Sequence, residues 1–352
     1  MLSKIEELAK ILGTDRSKFN ESLSLHTTLG IGGPADLYYE TNDSSDLIKA
    51  VRLARSYGVP VTVIGGGSNI LISDKGIRGL VIKNSSSKIS VGKSKKKDTS
   101  LLTEAVASRW QSDDSKGTFK YEFKDLDYDE WDEKRVVVTI DSGVPLAVAM
   151  MRLIDQGITG LQWYARIPGT IGGAVFNNVH GGTHTIKEIV EKVVVLNNEG
   201  EIKSLSGSEI GFDYDKSRFH RSDEIIIEVV FEMYLGDKER AKAVVTEWAK
   251  RKAIQPMNSA GCVFKNISEE DKERLGYPTT ATGYIVEHVL KMTGFKVGKA
   301  AVSLAHHNFI INEGGATAKD FLAVRDEIIL RAKKEIGIDL ESEIMLLGDF
   351  TN

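Results

Sequence analysis

A single cysteine, Cys262, in 352 residues excludes an internal disulfide framework. Long apolar runs are missing too: none approaches the roughly 20 residues that span a bilayer. The opening Met-Leu-Ser-Lys has no apolar signal core, so a cytoplasmic protein without a membrane partner is expected. No excess of one charge sign is present, since 46 basic against 50 acidic side chains leave a formal net charge of −4. That balance implies neither nucleic acid nor an anionic membrane as partner and favours a small molecule. Also absent are the spaced G-x-G-x-x-G and the G-x-x-x-x-G-K-[ST] patterns, so neither the dinucleotide fingerprint nor a phosphate-binding P-loop applies.

What is present is glycine in clusters. Residues 166–178 read Arg-Ile-Pro-Gly-Thr-Ile-Gly-Gly-Ala-Val-Phe-Asn-Asn, an apolar run broken where a core element would be continuous. Such a stretch is either a buried bend or a place where a ligand approaches the backbone, because glycine removes the Cβ that would hold it away. Residues 63–72, Val-Ile-Gly-Gly-Gly-Ser-Asn-Ile-Leu-Ile, have the form of a strand feeding a phosphate-cradling loop. Two such elements suggest one large nucleotide-like cofactor. A third glycine segment, residues 25–36, reads as a turn or a further ligand contact.

The length fits two or three domains. Ser44 or Ser45 can cap a helix whose apolar Leu47, Ile48, Val51 and Ala54 recur at helical spacing, with Gly58 as its stop. With the strand 61–64 this makes a β-α-β unit, which delivers the triple glycine where α/β sheets present ligand contacts. Residues 85–135, with a basic run at 93–97 and an acidic one at 125–133, read as an exposed insertion remote from any site. Order returns at the strand 136–140 and continues through a helix near 145–155. Residues 193–203 form a hairpin, and 224–234 a strand. A helix from Asp237 to about Lys252 links to a C-terminal part in which Thr317 and Asp320 make a capping box. The expected divisions are 1–84, 85–135, 136–236 and 237–352. His180 and His184 lack a clustered carboxylate or thiol, so no metal is expected. Cys262 taken alone is a small buried hydrophobe.

In order and approximate spacing, residues 27–36, 64–71, 167–175, 260–266 and 340–344 resemble the motifs of the UDP-N-acetylenolpyruvoylglucosamine reductase (MurB) family. The likeness covers nearly the whole chain outside 85–135. It implies an α+β fold: a two-part FAD-binding region of the vanillyl-alcohol-oxidase (PCMH) type, here 1–84 and 136–236, and a smaller α+β substrate-binding domain. It implies an oxidoreductase of peptidoglycan precursor synthesis that passes a hydride from NADPH through FAD to a UDP-linked enolpyruvyl sugar. A flavin oxidase and a non-catalytic FAD- or UDP-sugar-binding protein are the alternatives, and a monomer is expected. By motif position the resemblance assigns Ile64, Gly65, Gly66, Gly67, Ser68, Asn69, Ile167, Pro168, Gly169, Thr170, Gly172, Gly173 and Asn178 to the cofactor. It assigns Lys265 and Asn266 to the substrate, with Cys262 as proton donor and Glu343 in the same proton network.

Cys262 stands where the family usually has serine, and it keeps a transferable proton. Asp215 stands where the family has an arginine, so Arg218 is expected to supply the cation. Ile254 replaces a family lysine, and the segment from Asn178 to Thr183 lacks a family tyrosine. Arg251, Lys252 or the histidines are then the candidates to replace those contacts.

Overall fold

The computed structural model describes residues 2–95, 126, 128, 130 and 134–351. Alternating apolar side chains build a first sheet in the order Ser17–Ser22, Pro34–Thr41, Ile77–Asn84, Val61–Ile64, antiparallel at the first pairing and parallel at the other two. Parallel neighbours need a crossover. The helix Ser44–Ser56 runs between Pro34–Thr41 and Val61–Ile64, burying Leu47, Ala50, Val51 and Ala54 in a core with Leu37, Tyr39 and Leu80. Its cap is Asp43, which accepts from Asp46 N at 2.8 Å, rather than Ser44 or Ser45. A carboxylate one residue earlier satisfies the same free N–H and suits the positive end of the helix.

The second sheet is antiparallel. It runs Ile202–Ser206, Val190–Leu196, Ile225–Leu235, Lys134–Asp141, Ile89–Lys95, with Ile158–Thr159 also pairing to Ile225–Leu235. One expectation changes here. Residues 85–135 read as an exposed insertion, yet Ile89–Lys95 pairs with Lys134–Asp141 and Ser86 is fully buried. Tyr128 packs against Trp163 with ring centroids 5.0 Å apart, and buried Glu130 accepts from Thr159 and Gln162. Serine and lysine hide the strand in the sequence because they suit a sheet edge, where lysine discourages further pairing. Lys96, Lys97 and most of the acidic run lie outside the described residues.

The helix Lys238–Arg251 also departs from its expected place as the start of the C-terminal part. Its Ala241, Val244 and Trp248 belong to the core under the second sheet, with Val138, Ile154 and Trp163. The third core gathers Val263, Phe264, Ile285 and Ile310 with Phe321, Val324 and Ile328 of the helix Ala318–Ile336, which starts on the expected Thr317–Asp320 capping box. Leu29, Ile31 and Leu71 enter this core as well. The closing strand Met345–Leu347 runs parallel to Ile70–Ile72 in a separate two-stranded sheet, so the C-terminal part is fastened to the segment just after the triple glycine.

Candidate active site

The two glycine loops touch. Ser68 Oγ donates to the Pro168 carbonyl at 3.0 Å, and a Cβ on Gly66 would lie 2.7 Å from Gly169 Cα, nearer than packed atoms come. Only glycine permits that approach. Beyond the contact Thr170 caps the short helix Ile171–Phe176, its hydroxyl accepting from Gly173 N at 3.3 Å. Every residue assigned to the cofactor from 64–69 and 167–173 lines one cavity of about 2920 Å³. An ordinary small-molecule pocket holds roughly 300–1,000 Å³, so this one has room for a dinucleotide and a second large ligand. Glycines at the contact leave backbone rather than side chains facing it, which fits FAD.

Asn178 is the exception among the assigned cofactor residues. It is buried, its Nδ2 donates to the Asp213 carbonyl at 2.9 Å, and its Oδ1 accepts from Lys187 N at 3.3 Å. Its amide is spent on holding the turn at 213–216, and it does not line the cavity.

One end of the cavity is a junction of three segments. Thr28 N donates to the Gly67 carbonyl at 3.0 Å while its hydroxyl donates to the Ser259 carbonyl at 2.7 Å, which ties the 25–36 segment to both the cofactor loop and the approach to Cys262. Glu343 N donates to Val263 O at 2.9 Å, and Lys265 N to Glu341 O at 2.9 Å. Glu343 is thereby set beside Cys262. Burial, then the Glu343 and Asp215 charges, pushes the Cys262 thiol up to about 12, against smaller opposing effects of Lys252 and a hydrogen bond with Asn308. Burial first, then Asp215, raises Glu343 to about 8. Both groups are protonated at neutral pH.

The cations are arranged differently from expectation. Arg218 does not reach the cavity; its guanidinium forks onto Glu224, with 2.9 and 3.2 Å contacts, and donates to Glu209 O at 3.1 Å. A bidentate carboxylate partner holds it outside the site. Lys265 does line the cavity, with Nζ 2.8 Å from Glu341, a carboxylate it shares with Lys216 at 2.7 Å. Asn266, exposed at the same wall, accepts from Thr282 N at 3.4 Å. The side chain that faces Cys262 is Lys252. Its ammonium donates to the Ala165 carbonyl at 3.3 Å and sits 4.4 Å from the centroid of Trp248. Among the described residues it has no carboxylate partner, and burial lowers it to about 8.

The two histidines separate. His184 is buried, stacked on Trp163 with centroids 4.0 Å apart, whereas His180 is exposed at the cavity wall with Nδ1 2.9 Å from Asp215 Oδ1. Asp215 and Tyr214 also line the cavity. Sequence reasoning named Lys252 only as one of several substitutes and took Asp215 for a loss. A lysine three residues before the turn at Gln255-Pro256 was the available signal, but nothing in its spacing shows that it points inward.

Residues 254–347 match the family model of the UDP-N-acetylenolpyruvoylglucosamine reductase C-terminal domain, and residues 35–100 and 119–206 that of an FAD binding domain. The chain is 32% identical to the UDP-N-acetylenolpyruvoylglucosamine reductase of Lachnoclostridium phytofermentans over 351 residues, covering 99% of this chain and 98% of the relative. It is 34% identical to that of Heliobacterium modesticaldum over 334 residues, covering 94% and 90%. The crystal structure of the Thermus caldophilus reductase is similar with a TM-score of 0.67 at 25% identity, covering 95% of this chain and 99% of that one.

Proposed function

This chain belongs to the UDP-N-acetylenolpyruvoylglucosamine reductase family, and on that premise we propose how its own residues divide the chemistry. The protein is an FAD-dependent UDP-N-acetylmuramate dehydrogenase, which reduces UDP-N-acetyl-3-O-(1-carboxyvinyl)-glucosamine with NADPH to UDP-N-acetylmuramate in peptidoglycan precursor synthesis. Its α+β fold is a two-part FAD-binding region of the vanillyl-alcohol-oxidase (PCMH) type followed by a smaller substrate-binding part, which we assign to the residues after Lys252.

Bound FAD supplies the hydride, taken from NADPH, to the enolpyruvyl methylene carbon. Negative charge then spreads over the neighbouring carbon and the carboxylate of the substrate. Lys252 meets that carboxylate: an ammonium largely withdrawn from water and, among the described residues, without a carboxylate partner gains more from an incoming charge than one in solvent. Cys262 gives its Sγ–H proton to the carbon. A thiol at about 12 is not ionised at neutral pH, so the proton is in place when the charge forms. Glu343, protonated beside it, belongs to the same proton network, and Lys265 and Asn266 bind the sugar nucleotide along the adjoining wall. The observation that carries this reading is the convergence of Cys262, Glu343 and Lys252 on the cavity that both glycine loops line.

The test is spectroscopic. Anaerobic NADPH bleaches the yellow protein and the enolpyruvyl ether restores the colour. Bleaching that only oxygen reverses would replace this reading with the oxidase one, and a protein that never bleaches would be a binding protein. A monomer in the cytoplasm is part of the same proposal. For the location, no helix among the described residues is long and apolar enough to cross a membrane. Sedimentation as a dimer at working concentration would refute the monomer.

A further inference from the structure

Asp215 sits at the tip of a tight turn in which Asp213 N donates to Lys216 O at 2.9 Å and Lys216 N returns to Asp213 O at 3.2 Å. The turn is pinned from below by Asn178 on the Asp213 carbonyl and by Ser217 Oγ on the Phe176 carbonyl at 2.6 Å. Asp215 adopts φ +52°, a left-handed conformation that aspartate and asparagine tolerate better than most residues. One of its oxygens is 2.9 Å from His180 Nδ1. The other, Oδ2, is buried and receives no hydrogen bond from the described residues, while the Glu343 carboxyl lies within hydrogen-bonding reach of the same side chain.

Two facing carboxylates repel, and a buried oxygen without a donor is costly. A proton on Glu343 answers both, because it converts the repulsion into an O–H···O⁻ hydrogen bond and supplies Oδ2 with its donor. The other charged or titratable groups that face the pair are Lys265 and Glu341 on the substrate wall, and Tyr214 and Cys262 beside it. Lys216 is held on Glu341, and Lys252 lies beyond the thiol. None of them reaches Oδ2.

We propose that Glu343 and Asp215 hold one proton between them, and that His180 connects this proton to solvent and so refills Cys262 after each turnover. The proposal rests on the reading of Cys262 as donor. When Sγ–H gives its proton to the substrate carbon, the thiolate left behind takes the proton of the Glu343 carboxyl. Glu343 is reprotonated through Asp215 from His180 Nδ1–H, and His180 takes a proton from water. No electrons leave sulfur or carboxylate. Asp215 and His180 are positioning and relay residues, since neither has to touch the substrate.

Infrared titration of the isolated flavoprotein tests the shared proton without turnover. A protonated-carboxyl C=O band is expected at neutral pH, titrating near pH 8 and absent in Glu343→Gln. In Asp215→Asn, which suits the left-handed backbone, the band is expected to titrate lower by about one pH unit or more, and the basic limb of flavin reoxidation to move with it. His180→Gln slows reoxidation several-fold, and added imidazole restores it. Absence of the band at neutral pH, a titration unmoved by Asp215→Asn, or no imidazole rescue would overturn the proposal. If the band behaves as stated but the enolpyruvyl ether fails to reoxidise the flavin, the shared proton stands and the functional reading falls.

Discussion

Asn69 and Glu343 are joined across the two parts of the molecule: Asn69 Nδ2 donates to the Glu343 carbonyl at 3.3 Å, and Met345 N donates back to the Asn69 carbonyl at 3.1 Å. The glycine loop at 64–69 and the segment that carries Glu343 are therefore one mechanical unit. Asn69→Ala removes a tether worth about 1 kcal/mol. We expect FAD to be retained and reoxidation by substrate to slow about five-fold, as that energy implies. Stopped-flow traces at the parent rate would mean that the tether does not set the position of Glu343.

Arg218→Ala tests the discarded cation. Arg218 is partly exposed and Glu224 mostly buried, but Ser222 Oγ also donates to Glu224 at 3.0 Å, and pairs open to solvent on one side are worth up to about 1 kcal/mol. Turnover is expected within about two-fold of the parent, as for a surface change away from the site. A loss of reoxidation by two orders of magnitude would return Arg218 to the chemistry.

Much of the two glycine loops was legible because they need glycine for a reason that survives into the fold: Gly66 must approach Gly169, which a residue with a side chain could not do. Cys262 and Glu343 were proposed from motif position, and the hydrogen bond from Glu343 N to the Val263 carbonyl brings those two motifs to one wall of the cavity. Asn178 was misread because a polar residue beside a glycine loop looks the same whether its amide faces a ligand or a neighbouring turn. Arg218 was misread because linear nearness to a lost arginine says nothing about which carboxylate lies closer in space. The strand Ile89–Lys95 was missed because an edge strand tolerates the lysines and serines that mark a loop.

Deleting residues 90–133 is expected to damage the protein. It removes nearly all of that edge strand, the Tyr128 ring that packs on Trp163 and lies 3.8 Å beneath the Arg240 guanidinium, and the Glu130 partner of Thr159 and Gln162. Buried amide and hydroxyl groups left without partners cost about 1–3 kcal/mol each. A lower thermal midpoint and reduced flavin content should follow, and a shortened chain that matches the parent in both would show the segment to be dispensable.

Lys252→Met separates stability from function. Folding lowers the ammonium from 10.5 to about 8, so the lysine's contribution is fully favourable only above its unfolded value and is lost as pH falls through about 8. At neutral pH the buried charge costs roughly 3 kcal/mol at the scale of 1.36 kcal/mol per unit. Methionine keeps the stem without the charge, so the thermal midpoint should rise below pH 8, with the gain shrinking toward pH 10.5. Substrate reoxidation of the flavin should fall by ten-fold or more, the order expected for losing a charge-assisted contact of about 1.5–3 kcal/mol. A variant equally stable and equally active would remove Lys252 from the site.

The last prediction separates Cys262 from Glu343 by pH. Cys262→Ala should leave bleaching by NADPH near the parent rate and slow reoxidation by about 10²–10⁴-fold, the usual range for a lost proton donor; Cys262→Ser should keep much of the activity. The thiol, held near 12, does not titrate between neutrality and pH 9, so the fall of reoxidation through about pH 8 belongs to Glu343. That limb should persist in Cys262→Ser and vanish in Glu343→Gln, which reoxidises slowly at every pH. Stability follows the same sign. Glu343 is raised from 4.5 to about 8, so its favourable contribution is complete below the unfolded value and is lost as pH rises through the folded one. The thermal midpoint of Glu343→Gln should therefore climb relative to the parent across that window. If the limb near pH 8 instead disappears in Cys262→Ser while Glu343 is intact, the ionising group is the thiol, and the proton network has to be drawn with sulfur rather than the carboxyl pair as its reservoir.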